Sequence, residues 1–342
     1  MEVLVPALVA LVLGKPIIGA LAKLNIRQTI YAYAPDTHRA KEGTPTMGGF
    51  IMLFAVAGGL LALIPSVQAA PALLHIRHFP VALSPFALLF STALLFALLG
   101  FVDDYLVRRW LGRRGLEWKV KLLLQFLAAG IALYAIADIP PQLLRGELLP
   151  QPPSLPSVMW VFGLVWVVAW VNAFNLTDGL DGLAAGLSVI AFGVLAAIGR
   201  DALSIITAML WCGAALGYLW WNLHPARVFM GDTGSMALGA TFGLITWREI
   251  ALAQSVGQAG RWAPVEWMAL CVLIGLVFAL EMVSVVFQLS AVKLLKRRLF
   301  RATPIHHHFE LLGWQESEIV GRFWLVGALA GLTAYTLSGG MP

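Results

Sequence analysis

Ser84-Pro-Phe-Ala-Leu-Leu-Phe-Ser-Thr-Ala-Leu-Leu-Phe-Ala-Leu-Leu-Gly-Phe-Val102 runs without a charge straight into Asp103-Asp104-Tyr105. The uncharged run is long enough to cross a bilayer as a helix, because the hydrocarbon core takes about 20 apolar residues. Each carboxylate after it would cost roughly 2.5–3.5 kcal/mol at the bilayer centre. The pair therefore marks a membrane surface or a wet cavity.

The same grammar recurs along the chain. Apolar runs predict ten spans, near 3–22, 47–65, 84–102, 119–137, 158–174, 183–199, 203–220, 234–247, 266–291 and 319–338, the eighth being short. The composition agrees: 60% of residues are apolar and 12% charged, against about 25% charged in soluble proteins. No interval between spans exceeds about 25 residues, too few for a soluble domain with its own core. The expectation is one all-α polytopic domain over residues 1–342. The first run has no basic n-region or Ala-x-Ala-like site and contains Lys15, so it reads as a retained helix with its N-terminus outside.

Lys and Arg concentrate in short cytoplasmic loops. Loops after odd-numbered spans hold 16 of the 23, including Lys23, Lys41, Arg108, Arg109, Lys119, Lys121, Arg227 and Lys296 to Arg298. Both termini are therefore expected outside and the odd-numbered loops in the cytoplasm. The net charge of +5 then reflects anionic lipid headgroups, not nucleic acid. Cys212 and Cys271 lack metal-site spacing and read as helix packing. Trp110, Trp118, Trp160, Trp220, Trp221, Trp247, Trp262 and Trp267 lie near span ends, where an interfacial aromatic belt is expected.

Five of the eight aspartates fall in three motifs: Asp103-Asp104, Asn175-Leu-Thr-Asp178-Gly-Leu-Asp181-Gly182 and Phe229-Met-Gly231-Asp232-Thr-Gly234. All three end spans on the predicted cytoplasmic side. Carboxylates held together raise one another's pKa unless a cation compensates. Magnesium suits them, since it takes oxygen ligands from one or two carboxylates and completes its shell with water and substrate phosphate. The flanking glycines let backbone amides approach a pyrophosphate. Gly43-Thr-Pro-Thr-Met-Gly-Gly49, beside Lys41, adds another tight turn. No P-loop or EF-hand spacing is present. Thr303-Pro-Ile-His306-His307-His308-Phe-Glu310 follows a basic run. Adjacent histidines rarely converge on one zinc, so contact with phosphate or sugar is the expectation.

Together these motifs closely resemble the phospho-N-acetylmuramoyl-pentapeptide transferases of bacterial peptidoglycan synthesis, in the family's order from Lys41-Glu-Gly-Thr-Pro-Thr-Met-Gly-Gly49 to Gly321-Arg-Phe-Trp324. The aspartates alone fit the wider polyprenyl-phosphate N-acetylhexosamine-1-phosphate transferases; the histidine segment and the Thr-Pro-Thr-Met-Gly-Gly loop point to the muramoyl branch. The resemblance implies a multi-pass enzyme of the bacterial inner membrane. It would move phospho-MurNAc-pentapeptide from UDP-MurNAc-pentapeptide to undecaprenyl phosphate, releasing UMP and forming lipid I with Mg2+, and it would be a homodimer.

By resemblance, Asp232 is the magnesium ligand, and Asp103, with Asp104 beside it, deprotonates or orients the lipid phosphate. A covalent phospho-aspartate route stays open. Asn175, Asp178 and Asp181 shape the nucleotide end, Phe229 stacks on uracil, and Lys41 and Lys119 bind pyrophosphate. Asn222 and His306, His307 and His308 lie near nucleotide and sugar. The family commonly has Lys three residues after its second Asp; here that position is Val107, and Arg108 is the substitute for its charge. Ser284 and Gln288 share a helical face with Glu281, lining a lipid groove or making an interhelical contact. Two alternatives are a related GlcNAc-1-phosphate transferase and, from another class, a secondary transporter, against which stand the near absence of mid-span charge and of repeats.

Overall fold

A computed structural model describes residues 1–24, 43–68, 85–111, 115–137, 139, 157–256 and 263–339. Lys41 and Trp262 lie outside the described residues, as does the side chain of Arg108. With no water to satisfy backbone polar groups in lipid, a spanning segment pairs them internally as a helix, and the described residues are helices and their connections. In chain order these are α1 (Leu4–Lys23), α2 (Gly49–Gln68), α3 (Pro85–Phe101), a π-helical turn (Val102–Leu106), α4 (Val107–Leu111), α5 (Trp118–Ala137), α6 (Ser157–Thr177) and α7 (Leu183–Ile198). There follow α8 (Ala202–Asn222), α9 (Gly231–Val256), α10 (Pro264–Ile274), α11 (Leu276–Leu295), α12 (Ile305–Glu310) and α13 (Glu316–Leu337).

Among the described residues, seven helices are long and apolar enough to cross a membrane, the third helix counting together with its π turn. The chain is a polytopic membrane protein. Helix α9 is its axis, packed against α3, α6, α2 and α10. Small residues make the close approach possible. A Cβ at Gly239 would strike the backbone of Trp170 and Val171, and one at Gly100 the backbone of Asp232 and Thr233. The core between α6, α7, α9 and α11 is aromatic, with Phe174 stacked on Phe278 at 3.8 Å and Trp170 edge-on to Phe242 at 4.7 Å.

Two expected spans differ in the structure. The eighth is not short: α9 has 26 residues, because the charges that interrupt its apolar run are satisfied inside the protein. Arg248 Nε donates to Asp201 Oδ2 at 2.7 Å, and Glu249 accepts from the backbone N–H groups of Arg200 and Asp201. The ninth is two helices, broken at Gly275, where the Trp170 ring occupies the space of a side chain. The aromatic belt is also partly corrected. Trp110, Trp118 and Trp220 are exposed, but Trp247 and Trp267 are buried in the bundle. Trp247 donates to the Met159 carbonyl, and Arg200 lies over the Trp267 ring. Cys212 and Cys271 are buried free thiols.

Candidate active site

The three aspartate motifs meet at the first turn of α9. That turn begins at Gly231, whose φ of 70° suits glycine, and a Cβ there would also lie 2.7 Å from Asp104 Oδ2. The N–H of Thr233 donates to Asp104 Oδ2 at 3.4 Å, and the backbone of Gly231 acts electrostatically on Asp178. A helix N-terminus with its unpaired N–H groups favours negative charge, which explains why carboxylates from two other elements gather here.

Asp103 and Asp104 lie on the π turn, a distortion common at functional sites. Asp104 faces Thr233. Asp103 Oδ1 accepts from the Leu116 N–H at 2.5 Å and Oδ2 from Lys121 Nζ at 3.0 Å. The same ammonium is paired with Asp232 Oδ2. Lys121 thus bridges two of the motifs, with 18% of its side chain exposed and 12% and 20% for its two partners. The other oxygen, Asp232 Oδ1, accepts from Asn175 Nδ2 at 2.7 Å, and Asn175 also reaches Ser235 Oγ at 3.0 Å. Burial, reinforced by nearby Asp232 and Asp104, pushes the Asp178 carboxyl well above the usual carboxylate range.

Sequence reasoning missed Lys121. It named Lys119, which is exposed and whose Nζ sits 5.7 Å from the Trp118 ring. The missed signal was helical phase: Lys121 lies one turn before Gln125, Ala128, Ala129 and Ala132, the buried face of α5.

The Pro45–Gly49 segment is zipped onto Phe229 and Met230. Phe229 N–H donates to the Pro45 carbonyl at 2.9 Å, Gly48 N–H to the Phe229 carbonyl at 2.7 Å and Gly49 N–H to the Met230 carbonyl at 3.0 Å. Phe229 remains partly exposed. Asn222 is used up as a bracket: its Oδ1 accepts from Gly182 N–H at 3.1 Å and its Nδ2 donates to the Val228 carbonyl at 2.9 Å. Asp181 Oδ2 meets Ala226 N–H and His224 Nδ1, both at 3.0 Å, while its own N–H donates to Glu316 Oε1 at 2.6 Å. Ligand atoms of Asp181, His224 and Glu316 lie within 4.8 Å of one another, so these residues form a second group that a cation could join.

The three histidines point to three different partners. His306 is buried with Nδ1 3.1 Å from Glu281 Oε1, and His307 Nδ1 is 2.5 Å from Glu310 Oε2. His308 Nδ1 accepts from the Arg301 N–H at 3.1 Å. His306 also lies against Gly179, where a Cβ would overlap its ring. The histidine segment therefore touches the Asp178 turn through one residue. On α11, Gln288 caps the turn at Leu299 and Phe300 and Ser284 hydroxyl donates to the Glu281 carbonyl, so this polar face makes protein contacts.

The donor set around Asp103 and Asp232 is oxygen-rich and already gathers a cation, the Lys121 ammonium. That arrangement fits a hard divalent ion bound by carboxylate and phosphate oxygens.

The family model "Glycosyl transferase family 4" matches residues 86–248, which include all three aspartate motifs. A phospho-N-acetylmuramoyl-pentapeptide-transferase of Moorella thermoacetica is 38% identical, covering 97% of this chain and 96% of that protein. The one of Staphylococcus epidermidis is 35% identical over 96% of each chain, and that of Staphylococcus carnosus 36% over 95% and 94%.

Proposed function

This chain belongs to the phospho-N-acetylmuramoyl-pentapeptide transferase family, and we propose on that premise that Asp103, Lys121 and Asp232 form the floor on which its two phosphates meet. The enzyme transfers phospho-MurNAc-pentapeptide from UDP-MurNAc-pentapeptide to undecaprenyl phosphate, a step of peptidoglycan synthesis. An oxygen of the lipid phosphate attacks the phosphorus that carries the sugar; the bond from that phosphorus to the UMP oxygen breaks, UMP leaves and lipid I remains. One phosphoanhydride replaces a phosphoanhydride, so catalysis consists of positioning two anions and neutralising charge on the transferred group.

The observation that carries this reading is the Asp103–Lys121–Asp232 bridge, a cation held between carboxylates at a helix N-terminus. Asp232, oriented by Asn175, would hold Mg2+, with Asp103 the second candidate ligand. When bound, the ion supplies charge neutralisation on the pyrophosphate oxygens. Asp103 orients the lipid phosphate; a phosphate monoester's second pKa of about 6 leaves little need for a general base at neutral pH. Lys121 holds the two carboxylates in register and offers its charge to the incoming phosphates. Asp104 and Asp178 fix the first turn of α9. Asp181 and Phe229 border the nucleotide end, and His307 the sugar side.

The bias of Lys and Arg supports a floor at the cytoplasmic face with both termini outside, and the family a bacterial inner membrane, where a soluble nucleotide and a lipid phosphate can both reach it. UMP release from UDP-MurNAc-pentapeptide, undecaprenyl phosphate and Mg2+ tests the reading. Asp232→Asn and Asp103→Asn are expected to abolish it while the helical bundle stays assembled, and undiminished turnover in either variant removes that residue from the mechanism.

A further inference from the structure

Glu281 is fully buried in the second turn of α11. A buried carboxylate is costly unless a polar neighbour compensates it, and the neighbour here is the His306 ring, with Nδ1 3.1 Å from Oε1. The His306 N–H lies 3.4 Å from Oε2, so the acid engages both the ring and the backbone at the start of α12. Seven residues on and on the same face, Gln288 Oε1 accepts from the N–H groups of Leu299 and Phe300 at 3.0 Å each. Its Nε2 donates to the Phe300 carbonyl at 3.0 Å. Helix α11 therefore grips the 299–306 segment at its beginning through Gln288 and at its end through Glu281. Neither ring nitrogen of His306 has a hydrogen-bond partner among the described residues, so the ring is held by contact alone, and its Nε2 faces Gly179, where any Cβ would overlap it. The imidazole is thus wedged between a buried carboxylate and the turn that carries Asp178.

We propose that Glu281 is a positioning residue for the transfer, acting through His306 to set the Asp178-Gly179 turn at the nucleotide end of the site; this deepens, and rests on, the transferase reading above. A carboxylate 3.1 Å from Nδ1 that also accepts from the His306 backbone N–H limits how the ring is turned. The ring in turn limits where the Asp178-Gly179 backbone sits. The Asp178-Gly179 turn belongs to the nucleotide end of the proposed site, so the effect is expected chiefly on the UDP-linked donor.

The test is steady-state UMP release with each substrate varied in turn, for Glu281→Ala, Glu281→Gln, His306→Ala, Gly179→Ala and the double variant Glu281→Ala/His306→Ala. Glu281→Ala is expected to raise the donor KM about 10–100-fold, the range for residues that orient a functional group from behind. KM for undecaprenyl phosphate is expected to stay within about twofold, since uniform binding to that substrate is untouched. Glu281→Gln, of the same shape and with an acceptor oxygen, recovers most of the loss. The double variant is no worse than His306→Ala alone, because the two residues act in series.

Equal changes in both KM values, or losses that multiply in the double variant, overturn the proposal. If alanine at 281 does not fold, Gly179→Ala decides from the other side of the ring, and an unchanged donor KM there overturns it. Wild-type protein in the same assay separates the two claims. Absence of wild-type release refutes the transferase reading, whereas wild-type release with a donor-indifferent Glu281 series refutes only the positioning role.

Discussion

Replacing Lys121 with methionine keeps the length of the side chain and removes the charge between Asp103 and Asp232. Taking one partner from a buried ion pair costs about 3–5 kcal/mol, because the remaining charge stays desolvated. The residual exposure of 12–20% in these three side chains puts the loss at the lower end, about 3 kcal/mol. That is a loss of stability; separately, removing one pre-placed electrostatic partner of the charge developing in the transfer costs about 10²–10³ in rate, so kcat/KM for Lys121→Met should fall about 100-fold. Two uncompensated carboxylates also attract a divalent ion more strongly, so the magnesium concentration for half-maximal rate should fall even as the rate does. Lys121→Arg keeps the charge but replaces a compact ammonium with a planar fork, and should fall between the two. The assay is UMP release by purified protein across a magnesium titration, with Lys119→Met as control because Lys119 is exposed. A Lys121→Met variant within about threefold of wild type, or a Lys119→Met variant equally impaired, would refute the bridge as the floor of the site.

Other perturbations have equally definite outcomes. Asn175→Ala frees Asp232 Oδ1 from its 2.7 Å hydrogen bond and should raise the magnesium requirement about 10-fold or more, as loss of an orienting residue does; a magnesium titration reads it. Gly100→Ala drives a methyl into the Asp232–Thr233 backbone; overpacking of about 1–3 kcal/mol should lower both thermal midpoint and turnover, measured on the same sample. Arg248→Ala breaks the buried contacts to Asp201 and to the Ile139 carbonyl at the end of α9 away from the site. It should cost about 3–5 kcal/mol of stability and lower the thermal midpoint in detergent, while the folded fraction keeps the wild-type KM for both substrates.

The aspartate cluster was legible because carboxylates at the ends of apolar runs are expensive, and few residues other than ligands or caps explain them. Their convergence on one α9 turn then follows from Gly231 and Gly100, which leave room for it. Lys121 was not read because two lysines two residues apart point to opposite sides of a helix. Only the buried stripe from Gln125 to Ala132 tells which one faces inward. The break at Gly275 was invisible in the sequence: glycine is common in membrane helices, and the cause is the Trp170 ring more than 100 residues away. The length of α9 was underestimated for the same reason, since Arg248 and Glu249 find Asp201 and Arg200 across the fold. Local pattern carried the chemistry, and long-range pairing decided which charges a helix could keep.

The most direct test of the account is magnesium-dependent UMP release by the purified chain with undecaprenyl phosphate, offered UDP-MurNAc-pentapeptide and UDP-GlcNAc in parallel, with Asp232→Asn alongside. The account predicts release with the muramoyl donor alone, lost on chelation of magnesium and lost in Asp232→Asn. Release with UDP-GlcNAc alone, or wild-type release in Asp232→Asn, would contradict it.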